Sequence, residues 1–293
     1  MANQRQADAA NRCISSQSDS PAAAIVVLAV TDFFARYFAS LKRRSAMVAR
    51  FFETRMGSVA VAWLAIFALA CLPRVLLPVT PVQGLSGIAM LVLPYALIAA
   101  APLAGFLIAA GSFPRGLLTA QPSLRLSFYG RWRKLGVLEA RSNPVFGPAG
   151  FMASLLIGLL LNVVVRSFEF LLAMPAVGGA APLWGDRLFM LMAADVIVMS
   201  FFYMVCFVMA LRSVPLFPRM LLFAWGLDIL AQLFIAKTIA ATPGVPAMVA
   251  QPLHALLEGN ITKVLISAFV WLPYLILSDR VNITYRGRAP RVV

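Results

Sequence analysis

Six apolar stretches follow one another in this chain, each long enough to cross a bilayer as a helix, and they constrain everything else it can do. They run from Gly57 to Pro78, Leu85 to Gly111, Gly150 to Ala173, Leu188 to Leu211, Met220 to Ala240 and Ile261 to Ser278. Each meets the requirement of about 17 to 25 mostly apolar residues per spanning helix. With 61% hydrophobic and 12% charged residues in 293, the chain holds more apolar surface than a soluble core of that size could hide. The expected fold class is therefore all-α: a polytopic transmembrane bundle of six spans.

The spacing of positive charge predicts how the spans are threaded. Of 25 Lys and Arg residues, 20 fall in four segments: the N-terminal segment, the loop from Ser112 to Gly147, the short loop from Arg212 to Arg219, and the tail after Ser278. Six spans place all four on one side, and basic loops mark the cytoplasmic side. Both termini are accordingly expected in the cytoplasm. The tail contributes Arg280, Arg286, Arg288 and Arg291, and Trp271, Pro273 and Tyr274 read as an interfacial anchor on a bent helix end.

Residues 1 to 20 are polar and predict disorder. From Pro21 to Arg55 an apolar run is followed by Asp32, Arg36 and a basic cluster from Lys42 to Arg55, interleaved with Phe51 and Phe52. An amphipathic interfacial helix fits this pattern. A seventh span from Ala22 to Leu41 is the alternative, burdened by about 2.5 to 3.5 kcal/mol for each mid-span charge. A cleaved signal peptide fits less well, because a long polar stretch precedes the apolar run and no small-residue cleavage site follows it. The chain thus divides into residues 1–56, a two-span part 57–111, a basic loop 112–147, and a four-span part with its tail, 148–293.

The net charge of +14 does not point to nucleic acid, since the basic residues lie between apolar spans rather than on a polar domain. Lipid is the expected partner, with anionic headgroups on the cytoplasmic face, and a further membrane protein fits as a second partner. The loop run Phe128-Tyr129-Gly130-Arg131-Trp132-Arg133-Lys134 reads as an interfacial anchor in the same terms. Small residues recur four apart in the second span, at Ala100 and Ala104, Ala101 and Gly105, and Gly105 and Ala109. That spacing suits close helix approach, although an alanine-rich face toward lipid would show it too. An eight-residue echo, Phe113 to Ala120 against Phe217 to Ala224, extends through no further helix, so it carries no duplicated transporter half.

Cys13, Cys71 and Cys206 have no ligand spacing, and His254 is the only histidine, so neither a disulfide framework nor a histidine metal centre is expected, and no cofactor is implied. No phosphate loop, HExxH or GxSxG elbow is present, and no nucleophile and base can be named for catalysis. What remains is charge inside the bilayer: Arg74, Arg166, Glu169, Asp195 and Asp228. Such residues are costly in lipid and mark functional sites by default. Asn162, Arg166 and Glu169 share one face of the third span, as do Asp228 and Gln232 on the fifth. The candidate binding residues are Arg166, Asp195 and Asp228, with Glu169 beside them. Arg166 would be an anion contact or counter-ion and the aspartates proton carriers, while simple mutual pairing of buried charges explains the same residues.

Phe217-Pro218-Arg219 opening a span, Trp271-Leu272-Pro273-Tyr274 ending one, and the tail Ser278-Asp279-Arg280-Val281 with Thr284-Tyr285 resemble the signature of the bacterial membrane family known as domain of unknown function 2569. The likeness covers about residues 148–288, with Asp279 where the family has Lys and Tyr285 where it has Phe. It implies a bacterial inner-membrane protein and supplies no activity. The reading that follows is a non-enzymatic accessory or envelope-related membrane component. A small transporter or permease built on the charged residues is the alternative, and a lipid-modifying enzyme ranks below both.

Overall fold

The computed structural model describes residues 21–82, 84–114, 131–177 and 181–290, and for residues 21–46 and 48–49 the backbone alone. The disorder expected over 1–20 lies outside the described residues, as do Phe128, Tyr129 and Gly130 of the basic loop and the first copy of the echo beyond Pro114. Eight helices and one two-stranded ribbon are seen among the described residues: α1 (Pro21–Leu76), α2 (Gly84–Ser112), β1 (Trp132–Lys134), α3 (Val137–Ser142), α4 (Phe151–Ala173), α5 (Leu183–Leu211), α6 (Phe217–Ala240), α7 (Ala247–Leu277), α8 (Asp279–Arg286) and β2 (Arg288–Pro290). Six helices are long and apolar enough to span a membrane, the first of them over Arg50–Leu76 within α1. The chain is a multi-pass membrane protein with the all-α bundle expected of it.

Three boundaries differ from expectation for identifiable reasons. The N-terminal helix does not stop before the first span: α1 is continuous over 56 residues, because nothing between Ala22 and Leu72 breaks a helix except the lone Gly57. At 1.5 Å per residue it is about 84 Å long, so a large part of it lies beyond a bilayer core about 30 Å thick. The fourth span begins at Leu183, five residues early, on a turn started by Pro182. The last span reaches back to Ala247, so that most of the loop expected from Ala241 to Asn260 is helix, and α7 runs on through Pro252 and Pro273.

The centre of the bundle is α5, which packs against α2, α4 and α6; α7 packs on α6, and α1 lies against α2 and α4. Close approach of α2 to α5 uses only one face of its small residues. Ala101, Gly105 and Ala109 are buried there, whereas Ala100 is exposed. A Cβ built on Gly105 would stand 2.6 Å from the backbone oxygen of Phe201, so glycine is needed for the approach. Arg212, just past α5, donates to the carbonyls of Ala110 and Phe113 at the end of α2. That places a cation where helix carbonyls are left without partners.

The tail is a folded cap rather than a loose basic strand. α8 ends on Gly287 in the left-handed conformation (φ 55°, ψ 47°), which turns the chain into β2. There Arg288 and Pro290 align antiparallel with Lys134 and Trp132 of β1. The Tyr285 ring is buried 5.1 Å from that of Phe217, and its hydroxyl donates to the carbonyl of Ala210 at 2.7 Å. The two halves of the motif singled out in the sequence, the Phe-Pro-Arg turn and the tail, are thus in contact. Arg286 and Arg288 are only 6% and 4% exposed, so they do not act as exposed basic residues of a stop signal. The Arg288 guanidinium lies 4.7 Å over the Trp132 ring, so that tryptophan helps to hold the tail.

Candidate functional site

Four spans bring their polar side chains to one place. Arg166 on α4, Asp195 and Tyr203 on α5, and Asp228 and Gln232 on α6 are all buried, Asp228 completely. The Arg166 guanidinium grips Asp228 with two nitrogens: Nη1 donates to Oδ2 and Nη2 to Oδ1, each at 2.7 Å. Its other edge meets Asp195, with Nη2 at 2.8 Å and Nε at 3.3 Å from Oδ2. The Tyr203 hydroxyl donates to Asp228 Oδ2 at 2.7 Å, and Gln232 Nε2 donates to Asp195 Oδ1 at 3.0 Å. The Gln232 amide oxygen in turn accepts from Asn260 Nδ2 on α7 at 3.2 Å.

The arrangement follows from helix periodicity and from the cost of unpaired charge. Asp228 and Gln232 are four apart and so share a face of α6 toward α5, where Asp195 and Tyr203 project. An uncompensated ion inside a membrane bundle is expensive, and a bidentate guanidinium–carboxylate pair is the strongest relief available. Every contact on the two carboxylates comes from a donor, which links α4, α5 and α6 through one guanidinium. Arg166 is thereby placed as a counter-ion to the aspartates.

Of the five bilayer charges read from sequence, three converge and two do not. Arg74 donates from Nη2 to the carbonyl of Leu172 at 3.3 Å, capping the end of α4. Glu169 pairs with Lys263 of α7. Lys263 lies inside the last span and belongs among the bilayer charges, from which the sequence reading left it out. Tyr203 and Asn260 also escaped that reading. A tyrosine in an apolar span and an asparagine in an expected loop carry no pattern until the neighbouring helices are in register. For Tyr203 the one available signal is its position eight residues beyond Asp195, about two turns along α5.

Beside the cluster, α4 and α7 stand apart and leave a cleft of about 270 Å³. Arg166, Asp228 and Tyr203 reach it from below, and Asn162 and Lys263 from its two walls. Asp195, the third residue of the cluster, does not line it. One end is bounded by Trp271 of α7, whose ring lies 4.8 Å from that of Phe151 on α4, and the Phe151 ring lies 5.0 Å from Tyr274. The other end is bounded by the Glu169–Lys263 pair. Trp271 and Tyr274, read from sequence as interfacial anchors, thus clasp α4 to α7. A larger cavity of about 540 Å³ lies among the loops at that second end, between Val79, Trp184 and Leu253, and no charged side chain lines it.

Among the described residues no group of three His, Cys, Asp or Glu side chains could hold a metal ion. Comparison with known proteins finds no match among family models, curated proteins or solved structures. Its reading rests on its own residues.

Proposed function

We propose that this chain is a non-enzymatic component of a bacterial inner membrane, an accessory or envelope-related protein, with both termini in the cytoplasm. One observation carries the reading: Arg166, a cation buried among the spans, is taken up by Asp195 and Asp228 in joining three helices. A group so fully engaged holds a scaffold together and has little left for chemistry. The distribution of basic residues over four segments supports the orientation, and exposed ones such as Arg50 suit anionic headgroups. Membership of the domain of unknown function 2569 family is part of the proposal; the packing of Tyr285 on Phe217 supports treating its separated motifs as one unit. The test is purification of the full chain from its native membrane in mild detergent. A stoichiometric complex with one membrane protein is expected, and a monodisperse chain without a partner would overturn the reading.

A second reading, a small permease, is favoured by the cleft that reaches Arg166 and Asp228. It requires water in that cleft. Cysteines at Gly158 and Asn162, in a chain with Cys13 replaced by Ser, should react with a membrane-impermeant thiol reagent, since native Cys71 and Cys206 are buried. Complete protection of both positions would exclude it.

A further inference from the structure

The cleft between α4 and α7 is lined as a receptor for a particular kind of molecule. Counted with the cluster beneath it, the site holds two cations, Arg166 and Lys263, against three carboxylates, Glu169, Asp195 and Asp228. The lining charges balance, and with all three carboxylates ionised the one in excess is Asp195, behind Arg166, which disfavours an anionic guest. The walls add aromatic side chains: Trp271, Trp225 and Tyr203 line the space, the last two buried. A cation set against such rings is attracted by their quadrupoles, most strongly where water is excluded. Asn162 on α4 and Ser267 on α7 also line the space from opposite walls. Polar groups within membrane spans are costly unless something in the cleft satisfies them. Finally, a Cβ on Gly158 would meet nothing within 4 Å, so the backbone of α4 borders open space there. At about 270 Å³ the cleft has room for a small organic molecule.

We infer that this cleft binds a small organic cation, an amine or quaternary ammonium group held between Trp271 and the excess carboxylate charge behind Arg166. The inference narrows the permease reading to a class of ligand and is independent of the accessory reading. It holds for a guest retained as well as for one carried across.

The experiment is calorimetric titration of the purified full chain in detergent with benzyltrimethylammonium, and with benzenesulfonate as the anion of similar size. Saturable binding of the cation alone is expected. Gly158→Leu should remove it by filling the cleft, and the variant should fold, because leucine favours a helix over glycine and its Cβ meets nothing within 4 Å. Trp271→Leu should weaken binding about three- to tenfold, the size of one cation–π contact. Melting temperatures of both variants in the same detergent verify that they are folded. Absence of saturable binding of the cation by the parent chain would overturn the inference, as would equal binding by a folded Gly158→Leu chain or a preference for the anion. Because binding is read without transport, a chain that binds the cation but leaves the engineered cysteines protected would exclude the permease and keep the site.

Discussion

Two regions of this molecule bury arginine, and they do it in opposite ways. Within the membrane, Arg166 is held by two carboxylates from two other helices. At the end of the bundle, Arg286 is held by neutral groups: its Nη1 donates to the carbonyl of Leu275 at 2.7 Å and to Asn282 Oδ1 at 2.9 Å. Arg288 shares the second acceptor, from Nε at 3.0 Å. Burial, and the nearby charges of Arg288 and Arg219, pull the Arg286 guanidinium down to about 10. The contrast shows how depth sets the kind of partner a charge requires. Deep among the spans an opposite charge offsets the desolvation of Arg166, whereas at the end of the bundle oriented carbonyl and amide dipoles serve for Arg286.

This contrast orders the expected effects of mutation. Arg166→Met strands two carboxylates inside the bundle and should cost about 3 to 5 kcal/mol of unfolding free energy, read by SDS titration of the chain in mild detergent. Asp228→Asn should cost less, about 1.5 to 3 kcal/mol, because it removes charged hydrogen bonds while cancelling the excess carboxylate charge. An equal or greater loss than for Arg166→Met would break the idea that carboxylate is in excess.

At the end cap, Arg286→Met leaves no opposite charge stranded, only carbonyl and amide acceptors, for a loss of about 1 to 3 kcal/mol. The Arg286 shift gives this variant a pH signature. Its folded value lies below the ordinary 12.5, so the folded chain holds fewer protons than the unfolded between pH 10 and 12.5. Stability relative to the variant should therefore rise as pH climbs from 10, and a relative fall would contradict the cap geometry. Tyr285→Phe removes only the bond to Ala210 and should cost about 1 kcal/mol, while its ring stays on Phe217.

The smallest effect belongs to the exposed pair of Arg133 and Glu139, 2.7 Å apart beside the ribbon. The hydrogen bond from Arg133, then that from the Gly136 amide, holds the Glu139 carboxyl below its ordinary value of 4.5. Its contribution is complete above that value and is lost as pH falls through the lower folded one. Glu139→Gln should leave the melting temperature at pH 7 nearly unchanged, as water screens such pairs. A large drop would show that the ribbon bears more of the cap's stability than its two short strands suggest.

What could be read from sequence follows the same division. The six spans and the convergence of Arg166, Asp195 and Asp228 were legible because hydropathy and helical spacing are local, and because a bilayer charge demands a partner. The pairing of Glu169 with Lys263 was not, since it depends on the register of α4 against α7. The cap was misread for a related reason. Arg286 and Arg288 look like loop charges until β2 meets β1 across about 150 residues of chain, a contact no local pattern encodes. The continuity of α1 was legible in principle, because the absence of a helix breaker before Pro73 outweighs the change from basic to apolar composition at Gly57.

The central claim is that mutual charge compensation joins α4, α5 and α6. It is tested most directly by comparing the unfolding free energy of Arg166→Met with that of the triple variant Arg166→Met, Asp195→Leu and Asp228→Leu. Removing all three charges leaves no ion without a counter-ion, so the triple variant should regain most of the stability that the single variant loses. A triple variant no more stable than the single one, or a single variant as stable as the parent chain, would contradict the account.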